Sequence, residues 1–237
     1  EMTGRFLLGI ALAALGGAAV AGPLTAEQNG DVVNDAAFNI RPLVTYAGPN
    51  GSNTYPYDTE AKAAHCLNDA VTALWSGEGA QTTVHVGEGT VTVSEAINIM
   101  GSTKIIGAGK DKSVLDGRWA GYQGFVLKHD DALLEGICIS NFSYAAQSIK
   151  GTGAGVNLSK GTVRDCRITK CRTQGAYQSG TAVHISGGLL TGTEIDQCQT
   201  DWEYECKAGA IYLTGGVVSN CWIHNLTETR DLNTGNS

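Results

Sequence analysis

Four residues at matching positions of a repeated segment could do chemistry together: Arg167, Glu194, Asp196 and His224. If neighbouring repeats pair as strands, columns one repeat apart place Arg167 beside Glu194 and Asp196 beside His224. Because Ca²⁺ prefers oxygen ligands, the two carboxylates, Glu194 and Asp196, could hold that ion. The alternative interpretation is ordinary cross-strand pairing of charged residues on a solvated sheet.

A second set of candidates lies in four predicted loops that vary between the repeats and contain aromatic and charged residues: 142–154, 172–181, 199–209, and from 227 onward. Flat aromatic rings can pack on the apolar faces of sugars, while charged groups bond to sugar hydroxyls. These segments therefore predict a glycan-binding surface, which a repeating fold would stack on one face. The alternative is solvated loops whose Trp and Tyr residues pack on the wall of the fold. The candidate substrate-binding residues are Tyr177, Trp202, Tyr204, Arg172 and Lys207.

The repeat that positions both sets has four copies. Their central isoleucines stand at positions 139, 168, 195 and 223, so the steps are 29, 27 and 28 residues. A period in this range is typical of a solenoid. Apolar residues keep fixed offsets in every copy, and polar residues alternate with them as in strands. The columns are Leu134, Val163, Leu190 and Val218; Ile137, Cys166, Thr193 and Cys221; Ile139, Ile168, Ile195 and Ile223; and Phe142, Cys171, Cys198 and Leu226.

A second short strand precedes each of the last three copies, and a glycine-containing turn joins the two. These strands begin at Val156, Val183 and Ile211, each time seven residues before the first apolar column. Identical columns can stack only if successive copies pair in parallel, about 4.8 Å apart. The sequence therefore predicts an all-β solenoid, a right-handed parallel β-helix, whose core is built between neighbouring coils.

One further column of the repeat is polar and follows each isoleucine by two residues. Stacked amide side chains at such a position could bond to the coils above and below and satisfy the backbone of a corner. A lysine interrupts the series. The column consists of Asn141, Lys170, Gln197 and Asn225.

The segment before the repeat has a characteristic order of motifs. A stretch rich in turn residues, Tyr46 to Thr59, precedes a helical pattern, and the motifs Thr83 to Thr90, Lys104 to Gly109 and Ser113 to Gly117 follow. Over residues 46–226 this order resembles the N-terminal part of bacterial secreted right-handed β-helix proteins of the pectin-lyase-like superfamily. The resemblance is specific for the fold but not for the function, because that superfamily includes polysaccharide lyases, glycoside hydrolases, adhesins and many proteins of unknown role.

The resemblance implies one enzymatic hypothesis. Lyases of this superfamily commonly use an Arg or Lys base together with carboxylates that hold Ca²⁺. The base removes a proton beside a uronate carboxylate, and a cation stabilises the charge that results. In this chain the catalytic set would be Arg167, Glu194, Asp196 and His224, with Ca²⁺ as the cofactor. The sequence lacks the Gly-His-Gly motif and the ordered aspartates of the family's hydrolases.

The N-terminal residues predict an exported protein. Residues 1–21 have the pattern of a secretory signal peptide, with Arg5 before an apolar core that is too short to span a bilayer. Residues 22–57 are predicted to form a leader and a first edge segment. No later segment is long and apolar enough to cross a membrane, so the predicted location is secreted or cell-surface.

An amphipathic helix is predicted at residues 58–76, with Asp58 or Thr59 as its N-cap. An open solenoid end exposes strand edges and apolar columns, so this helix would serve as the N-terminal cap. Residues 77–237 would then form β-helix coils. The C-terminal residues show no cap pattern, which predicts that the natural protein continues into further repeats.

Charge and cysteine content narrow the possible partners. The net charge of −7 and the pI near 5.2 disfavour nucleic acid or an anionic membrane as a partner, and also a highly acidic glycan unless Ca²⁺ bridges the charges. Export permits disulfides, but an odd count of seven cysteines leaves at least one unpaired in a monomer. Buried free thiols are the favoured interpretation, with Cys171 and Cys198 adjacent in one column.

Three functional hypotheses follow. The leading one is a secreted or surface-displayed β-helix that binds polysaccharide or a host surface through its stacked loops, with no catalysis and no cofactor. The second is a Ca²⁺-assisted polysaccharide lyase, with a glycoside hydrolase as its less favoured form. The third is a structural stalk that belongs to a longer surface protein.

Overall fold

A computed structural model of the 237-residue chain describes residues 41–77, 79–145, 153–174, 180–202 and 209–230. The predicted signal peptide therefore lies outside the described residues, as does the part of the predicted leader before residue 41. The helical elements are a 3-10 turn at Glu60–Lys62 and helix α1 at Leu67–Ala73. In chain order the strands are β1 Val44–Ala47, β2 Gln81–Val86, β3 Gly89–Thr92, β4 Ile97–Ile99, β5 Ser102–Gly107, β6 Ser113–Asp116, β7 Phe125–Leu127, β8 Leu133–Glu135, β9 Cys138–Ser140, β10 Ser143–Ala145, β11 Val156–Leu158, β12 Thr162–Arg164, β13 Arg167–Thr169, β14 Arg172–Gln174, β15 Val183–Thr191, β16 Glu194–Asp196, β17 Gln199–Trp202, β18 Ile211–Ser219, β19 Trp222–His224 and β20 Thr227–Arg230.

The strands form three parallel sheets that wind as a solenoid of about four turns within the described residues. The ten-stranded sheet runs β1-β2-β5-β8-β12-β15-β11-β7-β4, with β18 paired to β15. The six-stranded sheet runs β3-β6-β9-β13-β16-β19, and the four-stranded sheet runs β10-β14-β17-β20. Strands that are neighbours in a sheet are far apart in sequence, because each pairs with the equivalent strand of the next coil. The predicted all-β parallel solenoid is confirmed.

The predicted columns are in register. Ile168 is the Cα partner of Ile139 on one side and of Ile195 on the other, and Ile195 is the partner of Ile223. The column also extends upstream to Leu115, in a coil whose sequence shows the repeat less clearly. The first three isoleucines are fully buried, whereas Ile223 is 43% exposed, because β19 is the last strand of its sheet among the described residues. The core is therefore built between coils, as the pattern predicts.

Residues in the left-handed backbone region mark the corners of each coil. The four residues of the polar column, two positions after each isoleucine, all have φ between 51° and 59°. What they share is therefore this backbone conformation. Asn tolerates this conformation better than other residues with a side chain, which explains its frequency there. Asn141 also donates from Nδ2 to Asp116 Oδ1 at 2.9 Å, between coils. Lys170 has the same backbone conformation, although its side chain is not an amide.

The helix is much shorter than the sequence predicts. Asp58 and Thr59 precede a single 3-10 turn, and α1 begins only at Leu67. The residues between them are extended, because Ala64 forms a β-bridge with Ala47 and Cys66 forms one with Thr92. The single helix predicted over residues 58–76 is therefore wrong in extent: pairing with neighbouring strands outweighs local helix propensity.

Helix α1 packs against the start of the ten-stranded sheet. Leu67 and Ala70 are fully buried in the main hydrophobic cluster, and the hydroxyl of Thr45 in β1 donates to the Ala70 carbonyl at 2.9 Å. Asn68 attaches the helix to the following coil, since its Oδ1 accepts from the Ser94 amide at 2.8 Å. Among the described residues, none of the helical segments has the length and apolar character needed to cross a membrane.

The four-stranded sheet is an element that sequence analysis missed. The segments beginning after Phe142, Cys171, Cys198 and Leu226 are predicted as loops, but each starts with a strand that pairs in parallel with its neighbours. Polar residues dominate these strands, and so the apolar alternation that marks a strand is weak. The buried side chains of Thr173 and Thr200 face the interior in place of apolar ones. The variable loops are therefore shorter than predicted.

The predicted buried thiols are confirmed for four of the six described cysteines, whereas Cys66 and Cys221 are half-buried. Cys138, Cys166, Cys171 and Cys198 are buried, and none of the described cysteines forms a disulfide. Burial raises the pKa of the Cys138 thiol to about 11 and that of Cys166 to about 12. A hydrogen bond with Cys198, together with burial, raises the pKa of Cys171 well above its ordinary value. These thiols act as small apolar core residues.

Candidate functional site

The strongest cluster of ionisable side chains lies on the outer face of the six-stranded sheet, across β13, β16 and β19. Parallel pairing brings Arg167 opposite Glu194 and Thr169 opposite Asp196, and the next coil adds Trp222 and His224. The four residues predicted as a possible catalytic set therefore do come together. We call Arg167, Glu194, Asp196, His224 and Lys110 the charged cluster.

The closest contacts in the charged cluster run diagonally between coils. Arg167 donates from Nε to Asp196 Oδ1 at 3.0 Å and from Nη2 to Asp196 Oδ2 at 2.7 Å. The Nε of Arg167 is 4.0 Å from Glu194 Oε1, which is a looser contact. The Nε2 of His224 lies 3.1 Å from Glu194 Oε1. The sequence predicts straight pairing across the strands, but long side chains also reach the diagonal neighbour.

Asp196 is the buried centre of the cluster, with only 1% of its surface exposed. Burial alone would raise the pKa of its carboxyl, but the hydrogen bonds and charge of Arg167 outweigh burial, so the pKa is lowered. The same hydrogen bonds raise the pKa of the Arg167 guanidinium. Both groups are therefore charged over the whole physiological pH range, as a paired buried carboxylate must be.

Lys110 is the member of the cluster that sequence analysis missed. Its Nζ lies 2.9 Å from Glu194 Oε2, across 84 residues of sequence. This hydrogen bond is the main cause of a lowered pKa at Glu194, and the bond from His224 acts in the same direction. Lys110 lies in the turn between β5 and β6, where no column of the repeat predicts its position. Strand periodicity cannot locate side chains that reach a sheet from a turn.

An exposed aromatic residue borders the cluster. The indole of Trp222 stacks on the ring of His224 with centroids 3.9 Å apart and an interplanar angle of 26°. Trp222 is 63% exposed, and the Nδ1 of His224 lies 2.9 Å from the side-chain amide nitrogen of Asn225. The stack and this contact hold the His224 ring with its other nitrogen toward Glu194.

The hydrogen bonds within the charged cluster limit the reactions that it could catalyse. A general base must have lost its own proton before it can accept one from the substrate, whereas the Arg167 guanidinium has a raised pKa and donates two hydrogen bonds to a buried carboxylate. The carboxylates predicted as Ca²⁺ ligands, Glu194 and Asp196, each accept hydrogen bonds from cationic side chains. Within the described ranges, no group of three or more His, Cys, Asp or Glu residues is arranged to hold a metal ion. Catalysis would require Arg167 to leave Asp196.

The predicted glycan-binding residues are only partly described. Tyr177, Tyr204 and Lys207 lie outside the described residues. Arg172 begins β14 and is half-buried, and Trp202 ends β17. The structure thus places the backbones of these two residues in the four-stranded sheet, at neighbouring coils.

The variable segments begin and end at equivalent positions in each coil of the solenoid. They leave at the end of the four-stranded sheet, whose strands are in register. They return at Val156, Val183 and Ile211, which are also in register. From each of these residues to the isoleucine of the same coil is 12 residues, whereas the spans from Phe142, Cys171 and Cys198 to the return points are 14, 12 and 13. The variation in repeat length therefore lies entirely in these segments.

Comparison with known proteins returns no counterpart for this chain: no protein-family model, no curated protein and no solved structure matches it. The fold is therefore established at the level of a parallel β-solenoid, from the strand pairing itself.

Proposed function

We propose that this protein is a secreted or surface-displayed β-helix that binds polysaccharide or a host surface glycan through loops stacked on the four-stranded sheet. The observation that carries the proposal is the register of the points where these loops begin and end. The anchor points of successive loops are therefore spaced by one coil, about 4.8 Å, along the solenoid, and an extended glycan chain could contact several loops in turn. Tyr177, Trp202, Tyr204, Arg172 and Lys207 would supply the rings and charges.

The test is retention of the protein on immobilised polysaccharides. Replacing Trp202 and Tyr204 together by Ala should abolish retention if these loops hold the glycan. Trp222→Ala is the matched control, because Trp222 is an exposed indole on a different sheet. Unchanged retention of the double variant, or equal loss in the control, would refute the loop site.

The proposal also includes the handedness of the solenoid, the role of α1 and the superfamily of the protein. We infer a right-handed coil, because connections between parallel strands of one sheet are right-handed in nearly all proteins. The packing of α1 against β1 supports a role as N-terminal cap. Membership of the pectin-lyase-like superfamily rests on the order of motifs over residues 46–226.

The second candidate function is a Ca²⁺-assisted polysaccharide lyase at the charged cluster. The observation in its favour is the exposed Trp222 beside ionisable groups with shifted pKa values, a combination common at active sites. Mature protein would be incubated with uronate polysaccharides, with Ca²⁺ or chelator, while the ultraviolet absorbance of unsaturated sugar ends is followed. A Ca²⁺-dependent rise that Arg167→Lys removes without loss of fold would support the lyase. Absence of both turnover and glycan retention would leave the stalk hypothesis.

A further inference from the structure

An open cleft of about 540 Å³ lies over the outer face of the ten-stranded sheet, at its N-terminal end. Tyr46, His85 and Ile106 occupy one outward column there, in the adjacent strands β1, β2 and β5. All three side chains are half-buried and line the cleft. The cleft is distinct from the charged cluster and from the loop face, because it lies on another sheet.

The floor of the cleft combines two rings with one aliphatic side chain. The rings of Tyr46 and His85 lie 5.4 Å apart with an interplanar angle of 30°. Adding Ile106 extends this floor over three strands, or about 10 Å at the usual strand spacing. A platform of this kind suits the apolar face of a pyranose ring, whose axial hydrogens pack on aromatic carbon.

The rim of the cleft supplies carboxylates. Glu60 and Glu88 are exposed there; Glu88 pairs with Lys112 at 2.8 Å, while Glu60 forms no ion pair within the described residues. Carboxylate oxygens accept hydrogen bonds from sugar hydroxyls. The rim therefore has one unbalanced negative charge, that of Glu60. This charge repels the carboxylate of a uronate, so the cleft should bind neutral sugars more tightly.

Gly48 and Gly87 leave space in the cleft, although the surrounding atoms would allow a larger residue at either position. A Cβ at Gly48 would meet no atom closer than 3.8 Å, and one at Gly87 none closer than 3.7 Å, which is ordinary van der Waals contact. Neither residue has the positive φ that would demand glycine. Their neighbours at those distances, Ala47 and Ala63, also line the cleft, so a side chain at either position would occupy its space.

We propose that this cleft binds a neutral sugar ring of a polysaccharide, stacked on Tyr46 and His85 with hydroxyls bonded to Glu60 and Glu88. The site is separate from the stacked loops, and neither proposal depends on the other. It would hold one end of a glycan or act as an independent anchor.

Titration calorimetry on the full chain tests the proposal, with neutral hexasaccharides of glucose, mannose or galactose and a galacturonate hexasaccharide as probes. At least one neutral probe should bind, and more tightly than the galacturonate. Tyr46→Ala should weaken that binding about tenfold, whereas Tyr46→Phe, which keeps the ring, should not. Gly87→Val should weaken binding by filling the cleft, and melting curves would confirm that each variant folds.

The matched control is Tyr212→Ala. Tyr212 stacks on His184 with centroids also 5.4 Å apart, at the far end of the same sheet and outside the cleft. Its removal should leave the affinity unchanged. Failure of every neutral probe to bind, tighter binding of galacturonate, or equal loss in Tyr212→Ala would overturn the proposal. A loss confined to Trp202→Ala would assign the sugar to the loops and refute the cleft alone.

Discussion

Arg167 and Asp196 form a two-pronged ion pair between adjacent coils, with both carboxylate oxygens accepting hydrogen bonds at 2.7 and 3.0 Å from one guanidinium. Asp196 is almost fully buried, while the side chain of Arg167 remains 31% exposed. The pair therefore covers a carboxylate that could not be buried alone. The first role of this ion pair is to stabilise the fold.

Arg167→Ala should destabilise the fold, because it leaves the buried Asp196 carboxylate without its partner. The expected loss in the free energy of unfolding is about 3 kcal/mol. Urea denaturation followed by circular dichroism would measure it. Arg164→Ala is the matched control: Arg164 pairs with Glu135 at 2.8 Å on the surface, and this change should cost less than about 1 kcal/mol. Equal losses in the two variants would contradict the structural role of Arg167.

Stability should fall in acid through Asp196 and Glu194. The folded state lowers the pKa of both carboxyl groups, so their contribution is fully present above their unfolded values, near pH 4, and is lost as the pH falls through the lower folded values. Denaturation curves between pH 7 and pH 2 would show the loss. Asp196→Asn should reduce the slope in this acidic window. A variant that keeps the full slope would exclude Asp196 as its source.

The isoleucine column gives a graded test of packing between coils. Ile195→Ala should cost about 2–5 kcal/mol, because Ile195 is fully buried between coils. Ile223→Ala removes the same atoms in the same column but should cost less than half as much, since Ile223 is 43% exposed. Urea midpoints would compare the two variants. A cost at Ile223 equal to that at Ile195 would show that another chain segment covers it in solution.

Replacing Lys170 by Asn should stabilise the protein. Lys170 has φ of 53°, a conformation in which Asn is less strained than Lys, and its side chain is exposed. We expect a gain of about 0.5–1 kcal/mol in the free energy of unfolding. Lys128→Asn tests the same exchange at an exposed residue without positive φ and should give no gain. Thermal melts of both variants would decide, and a loss of stability at Lys170 would show that its side chain makes a stabilising contact.

The sequence predicts the solenoid well where burial repeats strictly. Ile139, Ile168 and Ile195 carry an inward position that only a parallel register can stack, so the strand pairing follows from their spacing. The four-stranded sheet is not predictable in this way, because polar residues such as Thr173 and Thr200 fill its inward positions. The helix is predicted too long, since bridges at Ala64 and Cys66 are tertiary contacts that local propensity does not contain.

The candidate site is predictable only in part, for a similar reason. Register brings Arg167, Glu194, Asp196 and His224 onto one face, and the structure agrees. The choice of partners depends on side-chain length and burial, and so the diagonal pairing does not follow from register. Lys110 reaches Glu194 from a turn, and the cleft at Tyr46 and His85 combines strands with the turn at Glu60. Neither relationship is periodic.

The spacing from each return point to the next isoleucine is constant at 12 residues. It therefore determines where an insertion or deletion leaves the strand register intact and where it does not. Insertions or deletions between a strand of the four-stranded sheet and the following return point would leave every ladder hydrogen bond in register. A one-residue insertion within a strand would instead shift the inward side chains of that strand to the outside. The three sheets thus act as a fixed scaffold, on which these connecting segments can differ in length while the strands keep their register.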